Sequence, residues 1–375
     1  MSATETPIVI PPHLLPADGR FGSGPSKIRP QAVASLASAA PGLLGTSHRK
    51  PAVKSQVRRI REGLAAFFDL PDSYEVALGN GGSTLFWDLA CYSLIQRRSA
   101  HAVFGEFSSK FAKAAQDAPF LESPLVVSAE PGTCASLNPV DDVDLYALTQ
   151  CETSTGVAMP VERPAADGLV AVDATSAAGG MGVDPSQFDV YYFAPQKCFA
   201  SEGGLWVALL SPAAVERVEQ VRGSGRYIPT MLDLHTALDN SRKDQTYNTP
   251  SISTLFLMGE QIDWMNAQGG LAWASKACAA KSAVVYDWAE ASDYATAFVA
   301  AAGERSTVVC TIDLDESVSA DAVNAALRAH GILDIDAYRK LGRNQLRIAV
   351  YPAVDLADVE LLVGAIDFCA GALRA

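Results

Sequence analysis

A lysine interrupts two apolar runs in the stretch YYFAPQKCFASEGGLWVALL (191–210). Burying an ammonium group without a partner costs several kcal/mol. Lys197 therefore either turns toward water or is held in a pocket because it reacts. Asp173 closes another apolar run, GLVAVD (168–173). If both runs are strands of an open α/β sheet, their carboxyl ends meet in one crevice, which is where ligands usually bind.

Lys197 and Asp173 together suit the chemistry of pyridoxal phosphate. That cofactor needs a lysine that can form a Schiff base and a carboxylate that can pair with its pyridinium nitrogen. Each residue also has an ordinary interpretation when it is taken alone. Asp173 is a common type of helix cap, and Lys197 would be unremarkable in a solvated turn.

A glycine turn in LGNGGST (78–84) separates a strand-like run from a helix-like run that opens at Ser83 or Thr84. Glycines let the backbone approach an anion, and a helix N-terminus offers free N–H groups, so this segment could hold a phosphate. It is neither G-x-G-x-x-G nor a P-loop. A tight strand-to-helix turn without a ligand explains the pattern equally well. Phe107, just beyond the run HAVF (101–104), could stack on a flat ring or belong to the core.

Alternating strand-like and helix-like segments must position these residues. Seven apolar runs predict strands, and helix-like segments such as 83–98 lie between several of them: 74–78, 101–104, 125–128, 144–149, 168–173, 189–194 and 205–210. Continuous apolar strands separated by helices are typical of a mainly parallel sheet that is covered on both faces. We therefore predict an α/β fold with an N-terminal arm (1–20), a large domain (21–275) and a smaller C-terminal α+β domain (276–375). A cleft between two such domains is a usual place for a small ligand.

The amino-acid composition and the net charge exclude several classes of protein. Among 375 residues, 49% are hydrophobic and 19% are charged, which is ordinary for a folded enzyme. The formal net charge of -13 argues against nucleic acid as the main partner. No secretory signal or membrane-spanning run is evident, so we expect a cytoplasmic protein. Seven scattered cysteines without a C-x-x-C pair favour reduced thiols and no metal site.

Six motifs together resemble the phosphoserine aminotransferase family, in particular its actinobacterial branch, over essentially the whole chain. They are FGSGPSK (21–27), GTSHRK (45–50), CETSTG (151–156), DATSAAGG (173–180), YFAPQKCFASEGGLWV (192–207) and TYNTP (246–250). The resemblance implies a fold type I enzyme that depends on pyridoxal phosphate, with a seven-stranded large domain. It also implies a homodimer with shared active sites.

The resemblance assigns a role to each matching residue. Lys197 would form the Schiff base with the cofactor, and Asp173 would keep the pyridine nitrogen protonated. Phe107 would stack on the ring, and Thr153 would hydrogen-bond its phenolic oxygen. The cofactor phosphate would be bound by Ser83, Thr84, Thr175 and Gln196, together with Asn248 and Thr249 of the partner subunit.

Substrate recognition would rest on arginines. Arg347 would bind the α-carboxylate, for which a bidentate guanidinium is well shaped. Arg339, with His48 and Arg49 of the partner subunit, would meet the substrate phosphate or the side-chain carboxylate of glutamate. For Arg343 a surface salt bridge is an equally good interpretation. The implied reaction transfers an amino group from L-glutamate to 3-phosphohydroxypyruvate, and some relatives also use 4-phosphohydroxythreonine.

Other functions fit less well. Another small-domain aminotransferase, such as one acting on serine or alanine with glyoxylate, would have no reason for the cluster of His48, Arg49 and Arg339. A cysteine desulfurase would need a cysteine in a mobile loop of the C-terminal half. A binding protein that had lost catalysis would need neither Lys197 nor Asp173. A nicotinamide-dependent dehydrogenase would need the dinucleotide glycine fingerprint.

Overall fold

The computed structural model describes residues 8–374. Its α-helices are α1 (Pro30–Leu43), α2 (Pro51–Phe67), α3 (Ser83–Ser93), α4 (Glu106–Asp117), α5 (Pro212–Gly223), α6 (Leu234–Ser241), α7 (Ile252–Gln268), α8 (Gly270–Ala291), α9 (Ala320–Ala329) and α10 (Leu356–Arg374). Its strands are β1 (Glu75–Asn80), β2 (Ser99–Val103), β3 (Leu125–Ser128), β4 (Leu145–Thr149), β5 (Cys151–Glu152), β6 (Val157–Ala158), β7 (Leu169–Asp173), β8 (Val190–Phe193), β9 (Leu205–Leu210), β10 (Ala295–Ala297), β11 (Val309–Leu314) and β12 (Gln345–Ala349).

Seven strands form one sheet in the order β1-β9-β8-β7-β4-β2-β3. Strands β8, β7, β4, β2 and β3 run parallel to one another, whereas β9 is antiparallel to both β1 and β8. Since β1 and β8 both oppose β9, they point the same way. The carboxyl ends of six strands therefore lie along one edge. The prediction of an α/β fold with a mainly parallel seven-stranded sheet is confirmed.

Helices cover both faces of this sheet. On one face, α2 and α7 pack Ile60, Leu64 and Ile262 against the inward side chains of the strands. On the other face, α3 contributes Phe86 and Leu89 to a second layer of the core. Strands β4, β7, β8 and β9 are buried at every position, which explains why they read as uninterrupted apolar runs in the sequence.

A second core surrounds the antiparallel sheet β10-β11-β12, which α8, α9 and α10 cover. Residues 8–20 of the predicted arm lie against it, with Ile10 buried, whereas residues 1–7 are outside the described part of the chain. The predicted boundary after residue 275 falls inside α8. That helix sends Cys278 to the first core and Val285 to the second, so the boundary stays a prediction.

Helix α3 ends at Ser93, earlier than the predicted end at Arg98. The carboxylate of Asp144 accepts the backbone N–H groups of Gln96 at 2.8 Å, Arg97 at 2.7 Å and Arg98 at 2.9 Å. These bonds replace helical ones, and they come from a residue that is distant in the sequence. Among residues 8–374, no helix has both the length and the apolar character that crossing a bilayer requires.

Candidate active site

Lys197 lies in the loop that follows β8 and is only 8% exposed. Its Nζ donates to Ser176 Oγ at 2.8 Å and to Thr153 Oγ1 at 3.3 Å, and these two hydroxyls are also bonded to each other. Within residues 8–374 no carboxylate forms a salt bridge with this amine. Burial lowers the pKa of Lys197 to about 8, and the nearby positive charge of Arg347 acts in the same direction. The amine is therefore held in a polar pocket that contains no paired anion.

Asp173 ends β7, the parallel neighbour of β8, and is 5% exposed. Its Oδ1 accepts the backbone N–H of Thr175 at 2.9 Å and the hydroxyl of the same residue at 2.6 Å. Its Oδ2 accepts the indole N–H of Trp87 at 3.1 Å. The two residues singled out in the sequence thus lie at the same edge of the sheet. The carboxylate is oriented by a threonine from its own loop and by a tryptophan from α3.

The N-terminus of α3 lies beside the same loop. Thr175 Oγ1 and Ser83 Oγ lie 2.6 Å apart, within hydrogen-bond distance, and this contact joins the helix start to the end of β7. The N-cap is Gly82, which has no side chain to cap the helix, and a Cβ placed there would meet nothing within 4 Å. An anion could therefore approach the free N–H groups of Ser83 and Thr84. Gln196 Oε1 is buried and makes no hydrogen bond within residues 8–374.

An aromatic and an arginine border the lysine pocket. The ring centroid of Phe107, near the start of α4, lies 5.8 Å from Lys197 Nζ. Arg347, on β12, donates from Nη1 to Thr153 O at 3.3 Å. Its Nε is buried and makes no hydrogen bond to another described residue. Burial also lowers the pKa of this guanidinium. Arg347 thus has donors to spare for an anionic ligand.

The turn that precedes β12 links this arginine to Phe107. The ring of Tyr338 lies 5.3 Å from the guanidinium carbon of Arg347 and 6.0 Å from the ring of Phe107. Arg339 follows it, is exposed, and forms no side-chain hydrogen bond within the described residues. Arg343 instead donates to Asp313, so the salt-bridge interpretation of Arg343 is the one that the structure shows.

A second group of polar residues surrounds His48. His48 Nδ1 and Thr249 Oγ1 are 3.1 Å apart, and Arg49 donates to Gln245 Oε1 at 2.5 Å. The carbonyl of Thr249 accepts from Asn80 Nδ2 at 2.8 Å, next to the glycine turn before α3. Burial lowers the pKa of His48, and its Nε2 makes no hydrogen bond within residues 8–374.

Asn248 precedes Thr249 and belongs to the same group of residues. Its backbone carbonyl accepts a hydrogen bond from the hydroxyl of Thr246 at 2.6 Å. Within residues 8–374, no hydrogen bond joins this group to Lys197, Asp173 or Arg347. The structure therefore collects the predicted residues into two sets. One set surrounds Lys197, and the other surrounds His48.

Three contacts of Lys197 or Asp173 were not expected from the sequence. Ser176 and Trp87 were not singled out, although DATSAAGG contains the serine and the helix-like run after 83 contains the tryptophan. The segment FGSGPSK also reaches the lysine. Ser26 donates to the carbonyl of Lys197 at 2.7 Å, and a Cβ on Gly24 would lie 3.0 Å from the lysine Cε. The glycines in that segment were the available signal of a close backbone approach.

The chain is similar to known aminotransferases in sequence. The profile of the family described as Aminotransferase class-V matches residues 22–336. A phosphoserine aminotransferase of Nocardioides sp. is 57% identical over 96% of this chain and 97% of its own length. One from Rhodococcus opacus is 55% identical over 97% of this chain and 98% of its own length.

Solved structures agree with these sequence relatives. The crystal structure of a phosphoserine aminotransferase from Cytophaga hutchinsonii has a TM-score of 0.85 at 25% identity, and the match covers 93% of this chain and 99% of that one. A phosphoserine aminotransferase from Bacillus circulans shares the fold with a TM-score of 0.81 at 21% identity, over 94% and 98% of the two chains.

Proposed function

This chain belongs to the class V aminotransferase family, and we propose that it transfers the amino group of L-glutamate to 3-phosphohydroxypyruvate. The products are O-phospho-L-serine and 2-oxoglutarate. It is a fold type I enzyme that depends on pyridoxal phosphate. The observation that carries the proposal is the convergence on Thr153 of a buried amine and an arginine with free donors. Lys197 reaches the hydroxyl of that residue and Arg347 reaches its carbonyl.

The residues at the sheet edge fit the cofactor. Asp173 offers a buried carboxylate to a pyridinium nitrogen, and Phe107 offers an aromatic face. The uncapped start of α3 suits a phosphate group, which Ser83, Thr84, Thr175 and Gln196 would complete. When it is bound, pyridoxal phosphate withdraws electrons from the α-carbon of the substrate and carries the amino group between the two substrates.

Lys197 is the residue that moves the proton. Its Nζ would accept the proton from the α-carbon of glutamate and would donate it to the C4′ carbon of the bound cofactor, before water releases the keto acid. In the second half of the reaction it would reverse this transfer. A base works best when its pKa lies near the operating pH, and a pKa of about 8 satisfies that condition. Ser176 and Thr153 hold the amine in place through their hydroxyls.

Arginines would select the substrates. Arg347 would bind the α-carboxylate that both substrates share, through the donors that remain free in this chain. Arg339, which is exposed beside the pocket, would meet the phosphate or the side-chain carboxylate. The same phosphate pocket would accept 4-phosphohydroxythreonine, which makes that compound a second substrate to test.

We further propose a homodimer in which His48, Arg49, Asn248 and Thr249 of the partner subunit complete each site. Within residues 8–374 these side chains bond to one another and to their own neighbourhood, and no hydrogen bond joins them to Lys197, which supports this arrangement. Tyr247, which precedes Asn248 in the chain, is 46% exposed.

Mixing two inactive variants tests the shared site. Lys197→Ala and Arg49→Ala homodimers should each be inactive. After subunit exchange, about half of the dimers are mixed, and one of their two sites is intact, so about a quarter of the activity should return. If no activity returned although exchange was demonstrated, both residues would have to act within one chain.

The substrate assignment is tested by a spectral half-reaction on the purified holoenzyme. Phosphoserine should convert the cofactor at far lower concentration than serine does, and Arg339→Gln should remove that preference while leaving the absorbance of the bound cofactor unchanged. Equal conversion by both amino acids would instead indicate a general aminotransferase, such as one acting on serine or alanine with glyoxylate.

We also propose that the enzyme is cytoplasmic. All seven cysteines are free thiols, and every one except Cys134 is buried. Free thiols persist in a reducing compartment, where this metabolic reaction would take place.

A further inference from the structure

Glu152 is a fully buried carboxylate, with 0% of its surface exposed. Its Oε2 accepts the backbone N–H of Phe107 at 3.1 Å and that of Ser108 at 2.9 Å, and also the hydroxyl of Ser108 at 2.8 Å. Its Oε1 accepts the hydroxyl of Ser154 at 2.7 Å. Every one of these groups donates, which suits an acceptor-only carboxylate. No lysine or arginine among residues 8–374 forms a salt bridge with it.

These hydrogen bonds cap the N-terminus of α4. The N-cap of that helix is Gly105, which has no side chain. Glu152 takes the N–H groups of Phe107 and Ser108, and Ser154 Oγ takes that of Glu106 at 3.0 Å. The positive end of the helix dipole therefore faces a carboxylate supplied by another segment. The start of α3 also has a glycine at its N-cap, Gly82, and no side-chain cap hydrogen bond from that residue.

The fit around Glu152 is close. A Cβ added to Gly105 would lie 2.3 Å from Cγ of Glu152 and 2.7 Å from the hydroxyl of Ser154. Any side chain at position 105 would therefore push the carboxylate away from the helix. Segments 105–108 and 152–154 therefore pack closely against each other at this point.

Both of these segments border the lysine pocket. Phe107, whose N–H is bound by Glu152, lies with its ring centroid 5.8 Å from Lys197 Nζ. Thr153, the residue after Glu152, accepts a hydrogen bond from the same Nζ at 3.3 Å. One buried carboxylate thus fixes two groups that would contact the cofactor ring, one on its face and one at its edge.

We propose that Glu152 is a positioning residue. It would fix the position of the Phe107 ring against the face of the cofactor ring and the position of Thr153 at the edge of that ring. The inference rests on the proposed function, because it requires pyridoxal phosphate in this pocket. Within residues 8–374 Glu152 makes no hydrogen bond or salt bridge to Lys197, so its effect on the pocket passes through these two neighbours.

The test compares Glu152→Gln with a matched control, Asp144→Asn. Asp144 also binds backbone N–H groups of another segment, those of Gln96, Arg97 and Arg98, but it precedes β4 whereas Glu152 follows it. In Glu152→Gln, the amide N–H groups would face donors. We expect the Kd of pyridoxal phosphate, from spectral titration of the apoprotein, to rise about tenfold. The visible circular dichroism of the bound cofactor should also change.

The control should lower thermal stability and yet leave the Kd and the circular dichroism of the cofactor within about twofold of wild type. If Glu152→Gln folds poorly, Ser108→Ala removes one donor and keeps the carboxylate, and it should shift the same signals in the same direction.

Unchanged cofactor signals in Glu152→Gln, or changes equal to those in Asp144→Asn at matched stability, would overturn the inference. The binding titration needs no turnover. A failure of the substrate assignment would therefore appear in the comparison of phosphoserine with serine and leave this titration interpretable.

Discussion

The buried amine of Lys197 should make the apoprotein react with pyridoxal phosphate in a pH-dependent way. Burial lowers its pKa from the ordinary value of 10.5 to about 8. Only the neutral amine is a nucleophile, so the rate of covalent capture should rise with pH and level off above about pH 9. The sign follows from burial, which disfavours the charged form of a lysine.

The size of the effect follows from the same pKa. At pH 7, an amine with a pKa of 10.5 is neutral in about 0.03% of molecules, whereas a pKa of about 8 leaves about 9% neutral. At equal nucleophilicity, Lys197 should therefore react about 300 times faster than an exposed lysine. Arg347→Met removes a nearby positive charge, so it should move the midpoint of the profile upward.

Stopped-flow absorbance on the apoprotein between pH 6 and pH 10 measures this rate. Lys197→Ala provides the background from all other lysines. Among them is Lys281, which is also buried but is hydrogen-bonded to the carbonyls of Tyr351 and Val354. The phosphate of the cofactor titrates near pH 6, so pyridoxal without phosphate should give the same midpoint. A midpoint near 10.5, or a rate that does not change with pH, would refute a desolvated Lys197.

Three further perturbations test the surroundings of the site. Trp87→Phe removes the N–H that Asp173 Oδ2 accepts at 3.1 Å and should weaken pyridoxal phosphate binding about five- to tenfold in a spectral titration. Replacing Lys340 with Met breaks its ion pair with Glu106, which ties the turn after Tyr338 to α4. Because the lysine side chain is 56% exposed, the KM for phosphohydroxypyruvate should rise less than about fivefold, and the rise should vanish at high salt. Arg347→Lys should lower kcat/KM about 100-fold for glutamate and phosphohydroxypyruvate alike, since a lysine cannot replace a bidentate guanidinium; a loss confined to one substrate would contradict its role at the shared carboxylate.

Most of the large sheet was predictable because of how its strands are buried. Strands covered on both faces must be apolar at every position, so runs such as 169–173 and 205–210 stand out in the sequence. Their order and direction were not predictable in the same way. Strand β9 is antiparallel to its neighbours, yet nothing in LWVALL differs from a parallel strand, because pairing is decided by tertiary packing.

From residue types alone, the site was predictable only where a charged residue ends or follows an apolar run, whereas Thr153 and Arg347 were predicted from the resemblance to a family. A lysine or an aspartate at the edge of an apolar run is conspicuous because burying its charge is costly, which drew attention to Lys197 and Asp173. Ser176, Trp87 and Glu152 are ordinary residue types in a loop, a helix and a short strand. Their importance arises from contacts across the fold, such as the bond from Trp87 to Asp173, and a linear pattern carries no trace of these.

The separate hydrogen-bond partners of Lys197 and Asp173 explain how one pocket can hold both residues. A direct ion pair would favour the charged amine and raise its pKa, which would remove the neutral form that reacts. Instead, Thr175 and Trp87 occupy the carboxylate, and the amine bonds to the neutral hydroxyls of Ser176 and Thr153. Oδ2 accepts only the bond from Trp87, so it can accept a second one from a ring nitrogen, and the lysine stays desolvated. The lysine that interrupts two apolar runs can be buried because hydroxyl groups, rather than an opposite charge, accept its hydrogen bonds.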